Sequence, residues 1–334
     1  MLDRLRRPTT LLVTALLPAG LALSACGGSD DDMLEGLDAV AISGQPGEAP
    51  ELDWKGRLEP DKAKAEILEE GDGEELAKGD FVLVNYVVGN GWTHEEALNT
   101  YGEEAGGFMA EVGAEEEPQQ VDDILNLVVR KEIEPGMKVG TRIAVTVGSD
   151  EVLGDYLGNA QVAQHFASLD IGNEDGLVIV ADLVATALEG PDGKAATSPS
   201  WAPEIVEKKG EPARLDFAGV REPSNKLRVG TLIEGSGDPI EEGDVIAANY
   251  LGAVYDAKKP FDESYSKDKP LPAVISEKVG TVVKGWSRAL EGVPVGSRVI
   301  LQIPPKLGYG KEGSPPTIPK NATLYFVVDV LATA

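Results

Sequence analysis

The sequence contains one long internal repeat, and this repeat limits the folds open to the chain more than any other feature. Residues 47–60 read GEAPELDWKGRLEP and residues 210–223 read GEPARLDFAGVREP, and the two stretches are identical at half of their positions. Further along, the pair NY at residues 85–86 recurs at residues 249–250. A unit of this length is a globular domain rather than one turn of a solenoid, so both copies must suit one architecture.

The repeat divides the chain into five segments. The first copy covers residues 45–188 and the second copy covers residues 203–334. Between them, residues 189–202 read EGPDGKAATSPSWA, a composition typical of a linker. We interpret residues 1–25 as a signal peptide and residues 26–44, which begin with a polar stretch, as a flexible tether.

The first residues follow the pattern of a bacterial lipoprotein signal. Arginines at residues 4–7 precede an apolar stretch, residues 9–23, that is short for a membrane-spanning helix. The sequence LSAC that ends at Cys26 resembles a lipobox, and Cys26 is the only cysteine in the chain. Lipidation of Cys26 would anchor an extracytoplasmic protein to the cell membrane, because two acyl chains suffice for stable attachment. The alternative is an ordinary secretory signal with an incidental cysteine.

Composition narrows the classes of function. The net charge of −27 disfavours nucleic-acid binding, because an acidic surface repels phosphate backbones. We interpret the acidity as a source of solubility, with a specific basic partner as the alternative. One cysteine excludes an intrachain disulfide, and two histidines, His94 and His165, do not suffice for a zinc site. No nucleophile elbow or phosphate loop is present, so we expect neither a metal nor a cofactor.

The second copy shows the patterns of an α+β domain. Apolar, β-branched runs predict three strands, at residues 245–250, 298–303 and 323–331. Residues 282–290 place Val283, Trp286 and Leu290 on one face of a short helix. A sheet with one helix laid across it is an α+β arrangement. Residues 308–320 contain three prolines, which predicts an ordered loop without regular structure.

Five short motifs follow one another in the second copy. They are NYLG at residues 249–252, FDES at 261–264, VKGW at 283–286, GYG at 308–310 and IPKNATL at 318–324. In this order and spacing, residues 227–334 resemble the FKBP family of peptidyl-prolyl cis-trans isomerases. Together with the repeat, the resemblance implies an α+β fold of two tandem FKBP-like domains, each a twisted antiparallel sheet wrapped on a short helix.

The resemblance also assigns a proline pocket to the second copy. It implies a set of catalytic residues, namely Tyr250, Asp262, Trp286, Tyr309 and Phe326. It implies a second set that binds the substrate, namely Phe261, Leu271, Val282, Val283 and Ile318. In the family, the counterpart of Trp286 forms the floor of the pocket, and those of Val283 and Tyr309 donate hydrogen bonds to ligand carbonyls through a backbone N–H and a hydroxyl.

These residues imply a surface prolyl isomerase that assists the folding of extracytoplasmic proteins. Its partners would be proline-containing unfolded or secreted polypeptides, the membrane through its lipid anchor, and macrolide inhibitors. The alternatives are an FKBP-like chaperone or binding module with little isomerase activity, and a purely structural lipoprotein. Four positions depart from the usual family pattern and bear on efficiency and substrate preference: Lys267, Leu271, Thr281 and Ser314.

Most of the pocket residues are replaced in the first copy. Tyr86 keeps the position of Tyr250, but the alignment places Leu98 or Asn99 near the position of Asp262. The other pocket positions of the second copy meet different residue types in the first, with Arg130 aligned to Trp286, Leu153 to Tyr309 and Ile179 to Phe326. We therefore expect a degenerate first copy that acts as a scaffold or substrate-binding domain. The alternative is a rebuilt site with different chemistry.

Overall fold

The computed structural model describes residues 32–102, 106–115, 117–118, 120–121, 123–156, 158–267 and 269–334. The interpreted signal peptide and Cys26 lie outside these residues. Within the described ranges, no helix is both long enough and apolar enough to cross a bilayer.

Residues 33–58 form a small folded layer on the first copy. The layer contains a 3-10 helix at Gly36–Ala39 and four strands, β1 (Met33–Leu34), β2 (Val40–Ser43), β3 (Glu51–Trp54) and β4 (Arg57–Leu58). β2 pairs with β3 in antiparallel fashion, and β1 lies parallel to β4. Ala39 and Val40 are buried against Val178 and Val180 of the first sheet. The expectation of a flexible tether over residues 26–44 is therefore wrong for residues 33–43, whose apolar side chains are held by this packing.

The first copy is built on a sheet with short helices. Its elements are β5 (Lys64–Glu69), β6 (Phe81–Asn90), β7 (Glu96–Asn99), β8 (Phe108–Glu111), α1 (Asp123–Arg130), β9 (Arg142–Gly148), α2 (Ser149–Leu153), a 3-10 helix (Gly154–Tyr156), α3 (Ala160–Ser168) and β10 (Gly176–Thr186). The strand order is β5-β9-β10-β6-β7, and β8 also pairs with β6. All of these pairs are antiparallel, and the buried face of the sheet packs against α1 and α3.

The second copy repeats this plan with fewer helices. Its elements, beginning in the linker, are β11 (Gly193–Ala195), β12 (Glu204–Lys208), β13 (Glu211–Asp216), β14 (Arg228–Gly235), β15 (Val245–Val254), β16 (Asp262–Glu263), a 3-10 helix (Tyr265–Lys267), β17 (Leu271–Val274), α4 (Lys284–Leu290), β18 (Arg298–Ile303), a 3-10 helix (Pro305–Leu307) and β19 (Leu324–Thr333). The strand order is β11-β14-β18-β19-β15-β16, and β17 also pairs with β15. The three strands and the helix predicted from the sequence are present, and residues 308–320 form a loop.

Corresponding strands therefore occupy corresponding places in the two sheets. β9, β10 and β6 follow one another in the first sheet as β18, β19 and β15 do in the second. The linker is more ordered than its composition predicts, because β11 adds a strand to the edge of the second sheet and Trp201 packs near Tyr325. Hydrogen bonds to a free edge strand and burial of an indole outweigh the turn-forming composition there.

Each copy also contains one buried ion pair at the same place. Arg142 on β9 bonds Asp182 on β10 at 2.7 Å, and Arg298 on β18 bonds Asp329 on β19 at 2.6 Å. Both arginines use two nitrogen atoms, which is the favourable fork geometry. The pairs link equivalent strands, so they tie the middle of each sheet together in the same way.

The two copies are in contact. Leu83 and Met109 of the first copy pack with Val245 and Leu331 of the second in one buried cluster. The N–H of Leu188, at the end of the first copy, donates to the carbonyl oxygen of Leu331 at 3.0 Å. Side chains of one copy therefore reach the surface of the other.

Candidate functional site

The centre of the candidate site is Trp286, which lies on α4 and faces the second sheet. The indole is only 2% exposed. Its ring lies 5.6 Å from the ring of Tyr250 on β15 and 5.5 Å from the ring of Phe326 on β19, and both contacts are nearly perpendicular. Edge-to-face contacts of this kind add to the free energy of burial. Three aromatic rings from one helix and two strands thus form an apolar floor.

Two glycines allow this close arrangement. A Cβ atom on Gly285 of α4 would lie 2.4 Å from the Ile303 side chain, so the helix approaches the sheet more closely than an alanine would permit. A Cβ atom on Gly252 would lie 2.7 Å from the rings of both Phe261 and Phe326. Phe261 and Phe326 instead meet at 5.6 Å with perpendicular rings and form one wall.

The polar edge of the site is a hydrogen-bonded group around Asp262. The hydroxyl of Tyr250 donates to Asp262 Oδ2, and the Nζ atom of Lys267 lies 3.1 Å from Asp262 Oδ1. Burial raises the pKa of the Asp262 carboxyl, but the hydrogen bonds from Tyr250 and Lys267 outweigh burial and hold this pKa below its usual value. Burial and the bond to Asp262 raise the pKa of the Tyr250 phenol, so the phenol stays protonated. Lys267 makes one contact where an arginine could make two.

The remaining wall comes from the proline-rich loop. Ile318 is 3% exposed and packs in the same cluster as Trp286, and it exchanges two backbone hydrogen bonds of 2.9 Å with Ser314. Tyr309 is 41% exposed at the rim. The backbone around it is held in place, because Gly313 donates to the carbonyl oxygen of Tyr309 at 3.0 Å. The loop is therefore ordered, as its sequence predicts.

The structure brings all ten residues expected at the site into one region. Eight of them belong to a single hydrophobic cluster, namely Tyr250, Phe261, Leu271, Val282, Val283, Trp286, Ile318 and Phe326. Asp262 joins this cluster through its bond to Tyr250, and Tyr309 is near enough to raise the pKa of the Tyr250 phenol slightly further. Val283 is the N-cap residue that precedes α4, and its side chain packs against the cluster.

Sequence reasoning missed one residue that positions the site. The hydroxyl of Ser264 accepts a hydrogen bond from the backbone N–H of Tyr250 at 2.9 Å and donates to Asn249 Oδ1 at 3.0 Å. Thr100 accepts the equivalent bond from Tyr86 in the first copy at 2.8 Å. A hydroxyl at this position in both copies was the signal that could have identified the residue. It fixes the strand that carries each tyrosine.

The equivalent face of the first copy carries a different group of side chains. Tyr86 makes a nearly perpendicular contact of 5.7 Å with Phe108 on β8. The pairing of β8 with β6 gives Phe108 the place that Leu271 has in the second copy. The first copy therefore has an aromatic wall where the second has an aliphatic one.

The expected alignment of Arg130 with Trp286 is wrong, because Leu125 and Asn126 of α1, rather than Arg130, line the face that carries Tyr86. Leu125 is 1% exposed and belongs to the core cluster of the first copy, and Asn126 is 8% exposed. Arg130 lies over the ring of Phe108 at 5.1 Å and donates to the carbonyl oxygen of Met109 at 3.1 Å. The helix thus presents an aliphatic side chain and an amide to this face, where the second copy presents an indole.

The strand register places the other replacements. Leu98 lies opposite Val88 as Asp262 lies opposite Gly252, and Ile179 takes the position of Phe326 on the neighbouring strand. Leu153 is buried in α2 and does not line this face. The tyrosine–aspartate pair of the second copy therefore has no equivalent among these residues of the first.

Comparisons with known proteins relate the second copy to one family. A family model described as FKBP-type peptidyl-prolyl cis-trans isomerase matches residues 237–331. The chain is 38% identical over 128 residues to the FKBP-type peptidyl-prolyl cis-trans isomerase FkpA of Escherichia coli (strain K12), which covers 37% of this chain and 45% of that protein. The chain thus spans less than half the length of this relative.

Other relatives are shorter and are covered more fully. Peptidyl-prolyl cis-trans isomerase FKBP2 of Homo sapiens is 39% identical over 112 residues, which cover 33% of this chain and 77% of that protein. Among solved structures, the crystal structure of FkpA from Escherichia coli shares 36% identity, covers 34% of this chain and 51% of that chain, and has a TM-score of 0.30. The crystal structure of AtFKBP13 shares 31% identity, covers 32% and 93%, and has a TM-score of 0.29.

Proposed function

Because the chain belongs to the FKBP-type peptidyl-prolyl cis-trans isomerase family, we propose that its second copy, residues 203–334, isomerises X-Pro bonds in extracytoplasmic proteins and so assists their folding. The observation that carries this proposal is the aromatic floor of Tyr250, Trp286 and Phe326 beside the Tyr250–Asp262 pair. The clients are unfolded or secreted polypeptides that contain proline.

An apolar pocket is sufficient for this reaction, because no covalent bond is made or broken. The barrier of roughly 18–20 kcal/mol comes from the loss of amide resonance as the bond twists. The twisted state has less charge separation than either planar form. A pocket that replaces water by apolar walls therefore binds the twisted state better than the ground states. A thousandfold acceleration requires a reduction of the barrier by about 4 kcal/mol.

The individual side chains have distinct tasks in this proposal. Trp286 and Phe326 pack against the proline ring and exclude water. The hydroxyl of Tyr309 and the backbone N–H of Val283 hold the carbonyl groups on either side of the twisting bond, as the family resemblance implies. Asp262 is ionised and hydrogen-bonded to Tyr250, so it fixes the Tyr250 ring at the pocket edge. None of these tasks requires a proton to move.

We assign the first copy, residues 45–188, to a second FKBP-like domain without isomerase activity. Its strand order and buried ion pair match those of the second copy, which supports a common scaffold. Leu98 and Ile179 stand where the aspartate and one aromatic wall are needed, and Leu125 and Asn126 line the face where the second copy has Trp286. The domain would then act as a scaffold or as a holder of substrate.

We propose a location for the protein from the sequence of residues 1–26. Cleavage before Cys26 and lipidation of its thiol would anchor the protein on the outer side of the cell membrane. The polar residues 27–32 would then separate the lipid from the folded layer that begins at Met33. Metabolic labelling with an alkyne fatty acid tests this location, with Cys26→Ser as the variant that should lose the label.

The isomerase proposal is tested with the full chain in a protease-coupled assay on a series of proline tetrapeptides. We expect acceleration that a macrolide able to fill FKBP pockets abolishes. A folded protein that binds the macrolide without accelerating the reaction would instead identify an FKBP-like chaperone or binding module. Failure to do either would reject both readings of the second copy.

A further inference from the structure

A cavity lies between the two copies, on the face of the first sheet that carries Tyr86. Its volume is ≈ 380 Å³, which is within the range of small-ligand sites. The first copy contributes Tyr86, Phe108 and Asn126 to the lining, and the second copy contributes Val274, Val279 and Thr281. The cavity is thus a product of both copies and corresponds in position to the proline pocket of the second.

Close contact between the copies closes one side of this cavity. A Cβ atom on Gly106 would lie 2.3 Å from Val274 Cγ2, so only glycine at position 106 lets the second copy approach this far. Met109 follows Gly106 by three residues and belongs to a buried cluster that also contains Val245 of the second copy. The segment from Val274 to Thr281 is held against the first copy and forms its outer wall.

The floor of the cavity contains an acceptor without a donor. Asn126 is 8% exposed, and its Nδ2 atom makes one long hydrogen bond, 3.5 Å, to Asp123 Oδ1. Its Oδ1 atom is buried and accepts no hydrogen bond from the described residues. A buried acceptor without a donor is unfavourable. Rotation about the last side-chain torsion of Asn126 would turn Oδ1 toward the cavity, where the N–H of a ligand could reach it.

The rest of the lining restricts the chemistry of the ligand. No aspartate, glutamate, lysine or arginine occurs among the described residues that line the cavity. Besides Asn126, the polar side chains of the lining are Thr100, His165 and Thr281, and the remaining side chains are aromatic or aliphatic. A neutral, largely apolar ligand therefore loses less hydration here than a charged one. A neutral group with an apolar portion and one N–H donor fits best. An extended polypeptide supplies both, because each residue except proline carries an N–H beside its side chain.

We propose that this cavity binds an apolar, non-proline segment of an unfolded polypeptide, whose backbone N–H donates to Asn126 Oδ1. This proposal rests on the proposed function in one respect, which is the choice of an unfolded polypeptide as the ligand. The two sites then differ in what they recognise. The second copy offers donors to the carbonyl groups around a proline, which has no N–H, whereas the first copy offers an acceptor that a proline cannot use.

The test measures fluorescence anisotropy of a labelled peptide of alanine, leucine and serine, added to the full chain in the presence of a saturating macrolide. A second peptide carries an N-methyl group on its central leucine and cannot donate there. The variants are Asn126→Leu, which removes the acceptor at similar volume, and Val279→Asp, which charges a wall at a position that is 42% exposed. Asn225→Leu, on an exposed loop of the second copy, is the matched control.

We expect the unmethylated peptide to bind and the methylated peptide to bind about tenfold more weakly, the effect of one lost hydrogen bond. Asn126→Leu should remove this difference between the peptides, and Val279→Asp should weaken both, whereas Asn225→Leu should behave as the unaltered chain. Binding that the macrolide displaces would place the peptide in the second copy and overturn the proposal. So would equal binding of both peptides to the unaltered chain, or no binding. If Asn126→Leu does not fold, Val279→Asp and the peptide pair decide.

The isomerase assay is independent of this measurement. A chain without activity on proline tetrapeptides that still shows the difference between the peptides would retain the cavity assignment and reject the proposed catalysis. An active chain that binds both peptides equally would support the proposed catalysis and reject the cavity assignment.

Discussion

The two copies present the same sheet face with two different chemistries. In the second copy, Trp286 lies below Tyr250 and forms a dry aromatic floor. In the first copy, Leu125 and Asn126 of α1 line the equivalent face, and Phe108 supplies an aromatic wall from a neighbouring strand. The two copies thus share a strand order and differ in the helical side chains that pack against it.

The features that both copies keep are those that hold the backbone. The hydroxyl of Ser264 or Thr100 accepts the tyrosine N–H in each copy, and an arginine–aspartate pair links the central strands. These groups are buried and hydrogen-bonded, so replacing one partner leaves the other without compensation. The side chains that face the pocket carry no such constraint. The comparison thus separates residues that a sheet of this kind needs from those that the reaction needs.

The largest effect is expected when the Trp286 indole of the second copy is replaced by an amide side chain like the one that lines the cavity of the first copy. We expect Trp286→Asn to lower kcat/KM on a proline tetrapeptide by at least about a hundredfold, because water enters the floor and the ring contacts disappear. The same change should lower the free energy of unfolding by about 3–5 kcal/mol, as for other large buried aromatic residues. Stopped-flow assay and urea denaturation measure the two effects.

Trp286→Phe is the control, since it keeps an aromatic ring in the floor. It should fold and retain a measurable part of the activity. Activity within threefold of the unaltered chain in a folded Trp286→Asn protein would mean that the floor contributes little to the reaction.

The equivalent ion pairs Arg142–Asp182 and Arg298–Asp329 allow the effect of one substitution on stability and on activity to be compared between the two copies. We expect Asp329→Asn and Asp182→Asn each to lower the free energy of unfolding by about 3 kcal/mol, because each leaves a buried arginine without its carboxylate. Only Asp329→Asn should also lower isomerase activity near its unfolding transition, since Arg298 ties together the strands below the pocket. Denaturation curves and activity measured in the same urea series check this. A parallel loss of activity in Asp182→Asn would show that the first copy supports the second.

The rim residue Tyr309 tests what the exposed part of the pocket contributes. Tyr309→Phe removes one hydroxyl at a position that is 41% exposed, so the fold should be unaffected. We expect a loss in kcat/KM of up to about tenfold, the usual size of one hydrogen bond to a ligand. Tyr255→Phe, a tyrosine of the same copy outside the pocket cluster, should leave kcat/KM unchanged. An unaltered Tyr309→Phe rate would remove this hydroxyl from the proposed mechanism.

The smallest expected effect is the dependence on pH. The pKa of Asp262 is lowered in the folded state, so its stabilising bonds are complete above the ordinary aspartate value and are lost as pH falls through the lowered value. We expect kcat/KM to be flat from about pH 5 to pH 8 and to decline only in more acidic buffer, by a few-fold. NMR exchange spectroscopy follows isomerisation without a protease. The Asp262→Asn variant should be slower at neutral pH and lack the acidic decline.

The repeat, the central strands of the second copy, α4 and the ordered proline-rich loop could all be predicted from the sequence. The ten residues expected at the site also lie together. These predictions depend on order and spacing along the chain, and strand pairing translates such spacing directly into position. The alignment also placed Ile179 at the position of Phe326. The strand pairing agrees, because Ile179 lies opposite Val88 as Phe326 lies opposite Gly252.

The failures all involve contacts between segments that are distant in sequence. The composition of residues 26–44 and 189–202 indicated a tether and a linker, but burial of Ala39 and the edge pairing of β11 order parts of both. Which residues of α1 face the cavity depended on how the helix packs against the sheet, and the spacing along the chain pointed to Arg130 instead of Leu125 and Asn126. The cavity between the copies depended on the absent side chain of Gly106 beside Val274.

The sequence by itself determined the duplicated plan, the family of the second copy and the replacement of most of its pocket residues in the first, because these are properties of residue order. The tertiary structure decided what lines the Tyr86 face of the first sheet. It places an amide on the floor and a wall from the other copy around it. The physical reason is that a cavity is defined by surfaces that meet in space, and neither surface carries a signal of the other along the chain.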